Sequence, residues 1–179
     1  MASILSSVSY FSSLPPEDLR AVEESAVRAS YQPGQIVLME GDAEGGLYVV
    51  ESGWLKAVRM AVSGREQVVN LLGRGDVFNG VAVFTDAPNK ASVIALEESR
   101  VWRIGRATMR RLIDSHPQIA RAVIVDLAGR MQHLLALVED LSLRTVESRL
   151  ARALLESQVN TVVRRRKWAT QSEMAARLG

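Results

Sequence analysis

Cysteine is absent from the sequence, which excludes disulfides, thiolate metal sites and iron–sulfur clusters held by this chain. Histidine is scarce as well. His116 and His133 are the only two, and no nucleophile–base constellation accompanies them. An enzyme is therefore the least supported class. No apolar run approaches the ~20 residues of a membrane span, so no membrane partner is expected. The first ten residues lack a basic start and a cleavage site behind an apolar core, so no secretory signal is visible and the expected location is cytoplasmic.

What is present describes a soluble globular chain, 47% hydrophobic and 23% charged over 179 residues, the size of one domain or one domain with an appendage. The net charge is only +2, but it is unevenly spread. From Arg144 onward eight Lys/Arg face three Asp/Glu, a net of +5, while the rest of the chain carries a net of −3. A basic tail on a mildly acidic body suits contact with a polyanion.

One stretch organises the rest. Ile124, Leu127, Met131, Leu134, Val138 and Leu141 recur at alternating steps of three and four, the 3.5-residue repeat of a helix that packs on another helix. Extended back to Pro117, where a proline is tolerated in a first turn, the repeat predicts a helix over 117–143. Val123, Ala128, Leu135 and Leu137 flank the seam, so one edge is expected to pack on the chain's own body and the seam on a twin subunit. An ordinary core helix is the plainer alternative.

Upstream, Leu14-Pro15-Pro16-Glu17 reads as a helix entry with Leu19, Val22 and Ala26 on one face, broken at Gln32-Pro33-Gly34. From there to Ile104, short Val-, Ile- and Leu-rich runs alternate with glycines: 35–39, 47–51, 54–59, 67–72, 92–96 and 101–104. Many short, evenly spaced strands predict an antiparallel sandwich or jelly roll. A helix over 106–114 follows, with Arg106, Arg110 and Arg111 outward. Near the end Thr170 and Glu173 form a capping box before Met174-Ala175-Ala176-Arg177-Leu178-Gly179.

In this order, Gln32-Pro33-Gly34, Glu40-Gly41-Asp42, Leu47-Tyr48, Glu51-Ser52-Gly53, Ser63-Gly64-Arg65-Glu66, Gly75-Asp76-Val77-Phe78, Asp86-Ala87-Pro88 and the final capped segment resemble the Crp/Fnr family of bacterial transcription regulators. The resemblance implies an α+β chain in three parts. Residues 1–116 would form an antiparallel, jelly-roll-like β-roll sensor of the cyclic-nucleotide-binding type with flanking helices, 117–143 a dimerisation helix, and 144–179 the first part of a winged helix-turn-helix. The sequence stops where that motif would turn into its recognition helix. The implied function is an effector-responsive, DNA-binding transcription regulator acting as a homodimer on double-stranded DNA. The alternative is a small-molecule or haem-based sensor or interaction module without a DNA role of its own.

The resemblance also locates an effector pocket. In cyclic-nucleotide receptors of this fold a Gly-Glu pair opens the phosphate loop and a Pro-Arg-Ser/Ala stretch closes it. Those positions fall here on Phe78, Asn79, Gly80, Val81 and Ala82, then on Asn89, Lys90, Ala91 and Ser92, with Leu134 and Leu135 reached from the long helix by ungapped alignment. Val81 stands where a carboxylate would take the ribose and Asn89 where a guanidinium would meet the phosphate. Lys90, one step along, offers a point charge without the bidentate fork. Cyclic AMP is accordingly not the expected effector. Haem is another candidate, with His133 as its axial ligand, and a collapsed, ligand-free pocket is a third. The seam residues Ile124, Leu127, Met131, Leu134, Val138 and Leu141 are assigned to the dimer, and Arg164, Arg165, Arg166, Lys167, Thr170 and Gln171 to DNA phosphates.

Overall fold

The computed structural model describes residues 3–43, 45–60, 66–85, 87–143 and 168. After a single 3-10 turn (Ile4–Ser7), helix α1 spans Pro16–Ser25, opened by Pro16 with Glu17 and Asp18 in its first turn, where acidic side chains complement the helix dipole. Strands then follow: β1 Val27–Tyr31, β2 Ile36–Leu38, β3 Gly46–Ser52, β4 Leu55–Met60, β5 Glu66–Leu72 and β6 Val77–Phe78. A short helix α2 (Gly80–Thr85) interrupts before β7 Ser92–Ala95 and β8 Ser99–Gly105, and α3 Arg106–Ser115 leads into α4 Pro117–Leu143. Two antiparallel four-stranded sheets, ordered β1-β8-β3-β6 and β2-β7-β4-β5, face each other as a roll with helices on its flank. This is the antiparallel sandwich that the strand spacing predicts, within the α+β class that the resemblance implies.

Strand β3 sits inside its sheet and is buried on both faces. Successive side chains of a strand point oppositely, so Leu47 and Val49 join Ile4, Leu5, Phe11, Val22, Met109 and Ile119 on the helical side. Tyr48 and Val50 point between the sheets with Leu55, Leu72, Phe78 and Val93. The chain thus builds two apolar clusters around one strand. Helix α4 joins the first of them only through its beginning: Ile119 and Val123 are buried, while Ile124, Val125, Ala128 and Leu135 are exposed. Of the apolar flank expected to rest on the body, Val123 does so, Ala128 and Leu135 face solvent in the single chain, and the Leu137 side chain lies outside the described residues.

Three local expectations are corrected. Helix α1 ends at Ser25, because Ala26 is already extended (φ −89°, ψ 148°). The next residues form β1 and pair with β8 from Val27–Arg103 to Tyr31–Ser99. Arg28 anchors this edge strand with two hydrogen bonds of 2.7 Å to the Glu51 carboxylate, its guanidinium 5.6 Å from the Trp102 ring centroid. The stretch read as a phosphate loop winds into α2, since Ala82 and Val83 gain burial there. Arg106 does not point outward; its guanidinium donates to the Ala82 carbonyl at 2.9 Å and so fastens α2 to the start of α3.

The turn between β3 and β4 depends on Gly53. It has φ 87°, and a Cβ there would collide with Ser99 Oγ and the Glu98 carbonyl. Ser99 is itself fully buried and cannot move aside. Gly53→Ala is therefore expected to destabilise the roll by about 1–3 kcal/mol, measurable as a lower midpoint in urea with an unchanged slope.

Candidate effector-binding site

Beyond Val123, α4 is tied to the roll by one polar cluster. Tyr10, buried in the N-terminal segment, donates its hydroxyl to Asp126 Oδ2 at 2.5 Å. Arg130, one turn further along the helix, donates Nε to the same oxygen at 2.8 Å and Nη2 to the Val77 carbonyl of β6 at 2.9 Å. The N-terminal segment is thus joined to α4 at the Asp126 carboxylate, and β6 through Arg130. Burial raises the Tyr10 pKa well above its ordinary value, and the hydrogen bond and negative charge of Asp126 push it the same way, against a smaller opposing effect of Arg130.

Beside this cluster lies a cavity of about 190 Å³. Leu38, Ala57, Phe78 and Val93 come from the strands; Asn79, Gly80, Val81 and Ala82 from the start of α2; Lys90 and Ala91 from the approach to β7. Leu127 of α4, with Asp126, Arg130 and Tyr10, closes the side facing the helix. Asn79 turns the chain into α2 with φ 63°, a left-handed conformation that asparagine tolerates better than most residues. Its Nδ2 donates to the Gly46 carbonyl at 3.1 Å.

Seven residues singled out from the sequence thus line the cavity: Phe78, Asn79, Gly80, Val81, Ala82, Lys90 and Ala91. Four others do not. Asn89 is 2% exposed and serves the loops instead. Its Nδ2 donates to the Met39 carbonyl at 3.0 Å, and its backbone accepts from Gly41 (2.9 Å) and donates to Asp42 (3.0 Å). Ser92 uses its hydroxyl to accept from the Glu40 amide at 3.0 Å. Leu134 and Leu135 are exposed by 59% and 63%, and Leu134 lies seven residues beyond Leu127, about 10 Å further along the axis at ~1.5 Å per residue. Asp126, Leu127 and Arg130 are the helix's actual contribution to the cavity. The Asp126–Arg130 pair was visible as an i,i+4 ion pair on the helix; Tyr10, more than a hundred residues away, left no local signal.

The seam is an uncovered apolar row in the single chain: Ile124 is 66% exposed, Leu127 40%, Met131 60%, Leu134 59% and Val138 59%. A contiguous row of this kind marks a contact surface. The side chains of Leu141 and His133 lie outside the described residues, as do Arg164, Arg165, Arg166, Lys167, Thr170 and Gln171. Of the C-terminal part, Trp168 is described; it tilts against Trp54 with ring centroids 5.7 Å apart and donates Nε1 to Glu97 at 3.1 Å. His116 bonds to Asp18 at 2.9 Å, joining the α3–α4 corner to α1. Among the described residues that line the cavity none is His, Met or Cys, the usual axial ligands of haem iron.

The cluster at Asp126 can be tested by titration. A Tyr10 pKa raised on folding means that the contact's stabilisation is complete below the unfolded value of about 10 and is lost as pH rises through the folded value. The tyrosinate absorbance difference between the wild-type chain and Tyr10→Phe is expected to rise well above pH ~10. With Asp126→Asn the same difference should move down. Tyr10→Phe should also cost about 1–2 kcal/mol of stability; a midpoint at the ordinary value in the wild type would remove the cluster as a tie.

Residues 28–116 match the cyclic nucleotide-binding domain family. Over its whole length the chain is 27% identical to the CRP-like cAMP-activated global transcriptional regulator of Mycobacterium tuberculosis, covering 83% of that protein. It is 28% identical to the cyclic AMP receptor protein of Thermus thermophilus over 82% of this chain and 68% of that one. The crystal structure of the Thermus thermophilus catabolite activator protein superposes with a TM-score of 0.67 at 27% identity, over 74% of this chain and 62% of that one. With a cyclic nucleotide-binding domain homologous to those of CRP-like transcriptional regulators, the chain belongs to the Crp/Fnr family.

Proposed function

We propose that this protein is an effector-responsive, DNA-binding transcription regulator that works as a homodimer and whose effector is not cyclic AMP. Residues 1–116 act as the sensor, 117–143 as the dimerisation helix and 144–179 as part of the DNA-binding head. The observation that carries the reading is that α4 walls the cavity through Leu127 while its seam stands exposed. Whatever fills the cavity presses on the helix that would join two subunits. A shift in that helix becomes regulation when the two arrangements differ in effector affinity.

Cyclic AMP is disfavoured by chemistry and by room. Val81 puts a branched apolar side chain where a ribose hydroxyl would want a carboxylate, and Asn89 is held by Met39 away from the cavity. Charge-assisted hydrogen bonds are worth ~1.5–3 kcal/mol each, so losing two weakens a micromolar site by roughly 150- to 25,000-fold. The cavity of about 190 Å³ is also smaller than the ~300–1,000 Å³ of pockets for drug-sized ligands. The names of the M. tuberculosis and Thermus relatives point to cyclic AMP for those proteins; here the same fold is read as retuned.

Dimerisation is expected through a parallel pairing of the seam, which alone delivers two heads in two-fold symmetry. Sedimentation should find the wild-type chain dimeric at tens of micromolar. Leu134→Asp, which sets two carboxylates against each other in the seam, should make it monomeric. A monomeric wild type would refute the seam as an interface.

The DNA role is tested by fluorescence anisotropy with labelled duplexes. The 179-residue chain should bind weakly, without sequence preference, with a steep salt dependence and no response to micromolar cyclic AMP. Replacing Arg164, Arg165 and Arg166 by Ala should flatten the slope of log K against log salt by roughly one for each phosphate no longer neutralised. An unaltered slope, or tightening by micromolar cyclic AMP, would count against this function.

A further inference from the structure

Resting on the reading of the roll–helix cavity as the effector site, we infer that its effector is a small apolar carboxylate, a monoanion about the size of one aromatic ring. Three features of the cavity converge on that class: its size, its wall and its charge balance.

The volume is about 190 Å³. An apolar protein cavity of ~150 Å³ accommodates benzene, so one ring with a short polar substituent fills this space. The wall agrees with the size: Leu38, Ala57, Phe78, Val81, Val93 and Leu127 present carbon to the interior, and burying a ring against them is favourable at ~25 cal/mol per Å².

Charge sets the remaining feature. Lys90, Arg130 and Asp126 are the charged residues of the lining. Asp126 is already satisfied by the Tyr10 hydroxyl and by Arg130, and Arg130 spends a further donor on the Val77 carbonyl. Those three side chains close a neutral set at the helix end of the cavity. Lys90 stands apart, with no ion pair or hydrogen bond among the described residues. The lining thus carries one uncompensated positive charge. An ammonium is a point charge on a flexible stem, so one monoanionic group at the loop end balances it, and a carboxylate is a compact group of that charge on a ring of this size. A dianion would leave its second charge against the apolar wall, at a large desolvation cost.

Calorimetry on the whole chain decides the matter with benzoate, benzyl alcohol and cyclic AMP as probes. Benzoate is expected to bind about tenfold more tightly than benzyl alcohol, and cyclic AMP more weakly than benzoate. Lys90→Gln, a change at an exposed side chain that leaves the core untouched, should remove the preference for benzoate while leaving benzyl alcohol unchanged. Val81→Trp, placed at a half-exposed position on the cavity lining, should fill the space and abolish binding of both. If benzoate and benzyl alcohol bind equally and Val81→Trp blocks both, the carboxylate assignment is wrong while the cavity stands as the effector site. If neither binds, or if binding persists unchanged in Val81→Trp, the cavity itself is not the effector site and both readings fall. Cyclic AMP binding more tightly than benzoate overturns the ligand class outright.

Discussion

A carboxylate at Asp126 decides how α4 stands over the roll. The helix is buried by Ile119 and Val123 and then leaves the body, and a helix attached only at its first turns is free to swing. Asp126 removes that freedom by accepting from Tyr10 on one side and Arg130 on the other, while Arg130 reaches the Val77 carbonyl. The tie is polar in a place where an apolar one would serve stability as well. A polar tie is directional and loses most of its value when one partner moves, whereas apolar contact weakens gradually. That property suits the proposed role of α4 as a helix that shifts between two arrangements. Tyr10 belongs to the first dozen residues, so the N-terminal segment is part of this joint and not a mere lead-in.

The roll supplies the fixed frame against which the helix can move. Strand β3 is packed on both faces, with Leu47 and Val49 toward the helices and Tyr48 and Val50 toward the second sheet. Tyr48 stacks on Phe78 with ring centroids 5.0 Å apart, and Phe78 reaches the cavity lining. The cavity wall is thus continuous with the core, and close-packed interiors transmit displacement instead of absorbing it. Arg106 and Asn89 brace the loops around it: one holds α2 through Ala82, the other holds the Met39 turn. Both residues look functional by type, yet their hydrogen bonds are structural.

How much of this could be read from the sequence follows from the range of each interaction. The start of α4 was legible because a 3.5-residue repeat is a local pattern and Pro117 marks where it begins. The strands were legible through the glycines between them. Strand β1 was not, because Val27–Tyr31 directly follows a helix and reads as its continuation; what makes it a strand is the pairing with β8, about seventy residues away. Helix α2 was hidden by the phosphate-loop expectation, and β6 by its length of two residues. At the site, the loop positions from Phe78 to Ala82, which the resemblance names from a stretch contiguous in sequence, line the cavity. The helix contribution did not, since alignment without gaps overshot by two turns to Leu134. Tyr10 was beyond reach of any local rule.

Leu127 lies where the proposed effector site and the proposed dimer seam meet. Its spacing places it in the seam, and the structure places it in the wall of the cavity, 40% exposed. One side chain therefore borders both surfaces proposed for the dimer and for the effector. A rotamer change that accommodates a ligand alters the knob offered to the facing helix, and packing by a twin subunit restricts the rotamers open to a ligand. Linkage makes the relation reciprocal: if the effector favours one helix arrangement by some factor, fixing that arrangement by dimer packing favours the effector by the same factor. The coupling in this reading does not require a relay through the roll, because the sensor surface and the assembly surface share a residue. A polar or bulkier side chain at 127 would change effector affinity and dimer strength together, whereas Leu134, exposed and absent from the cavity lining, reports on the dimer alone.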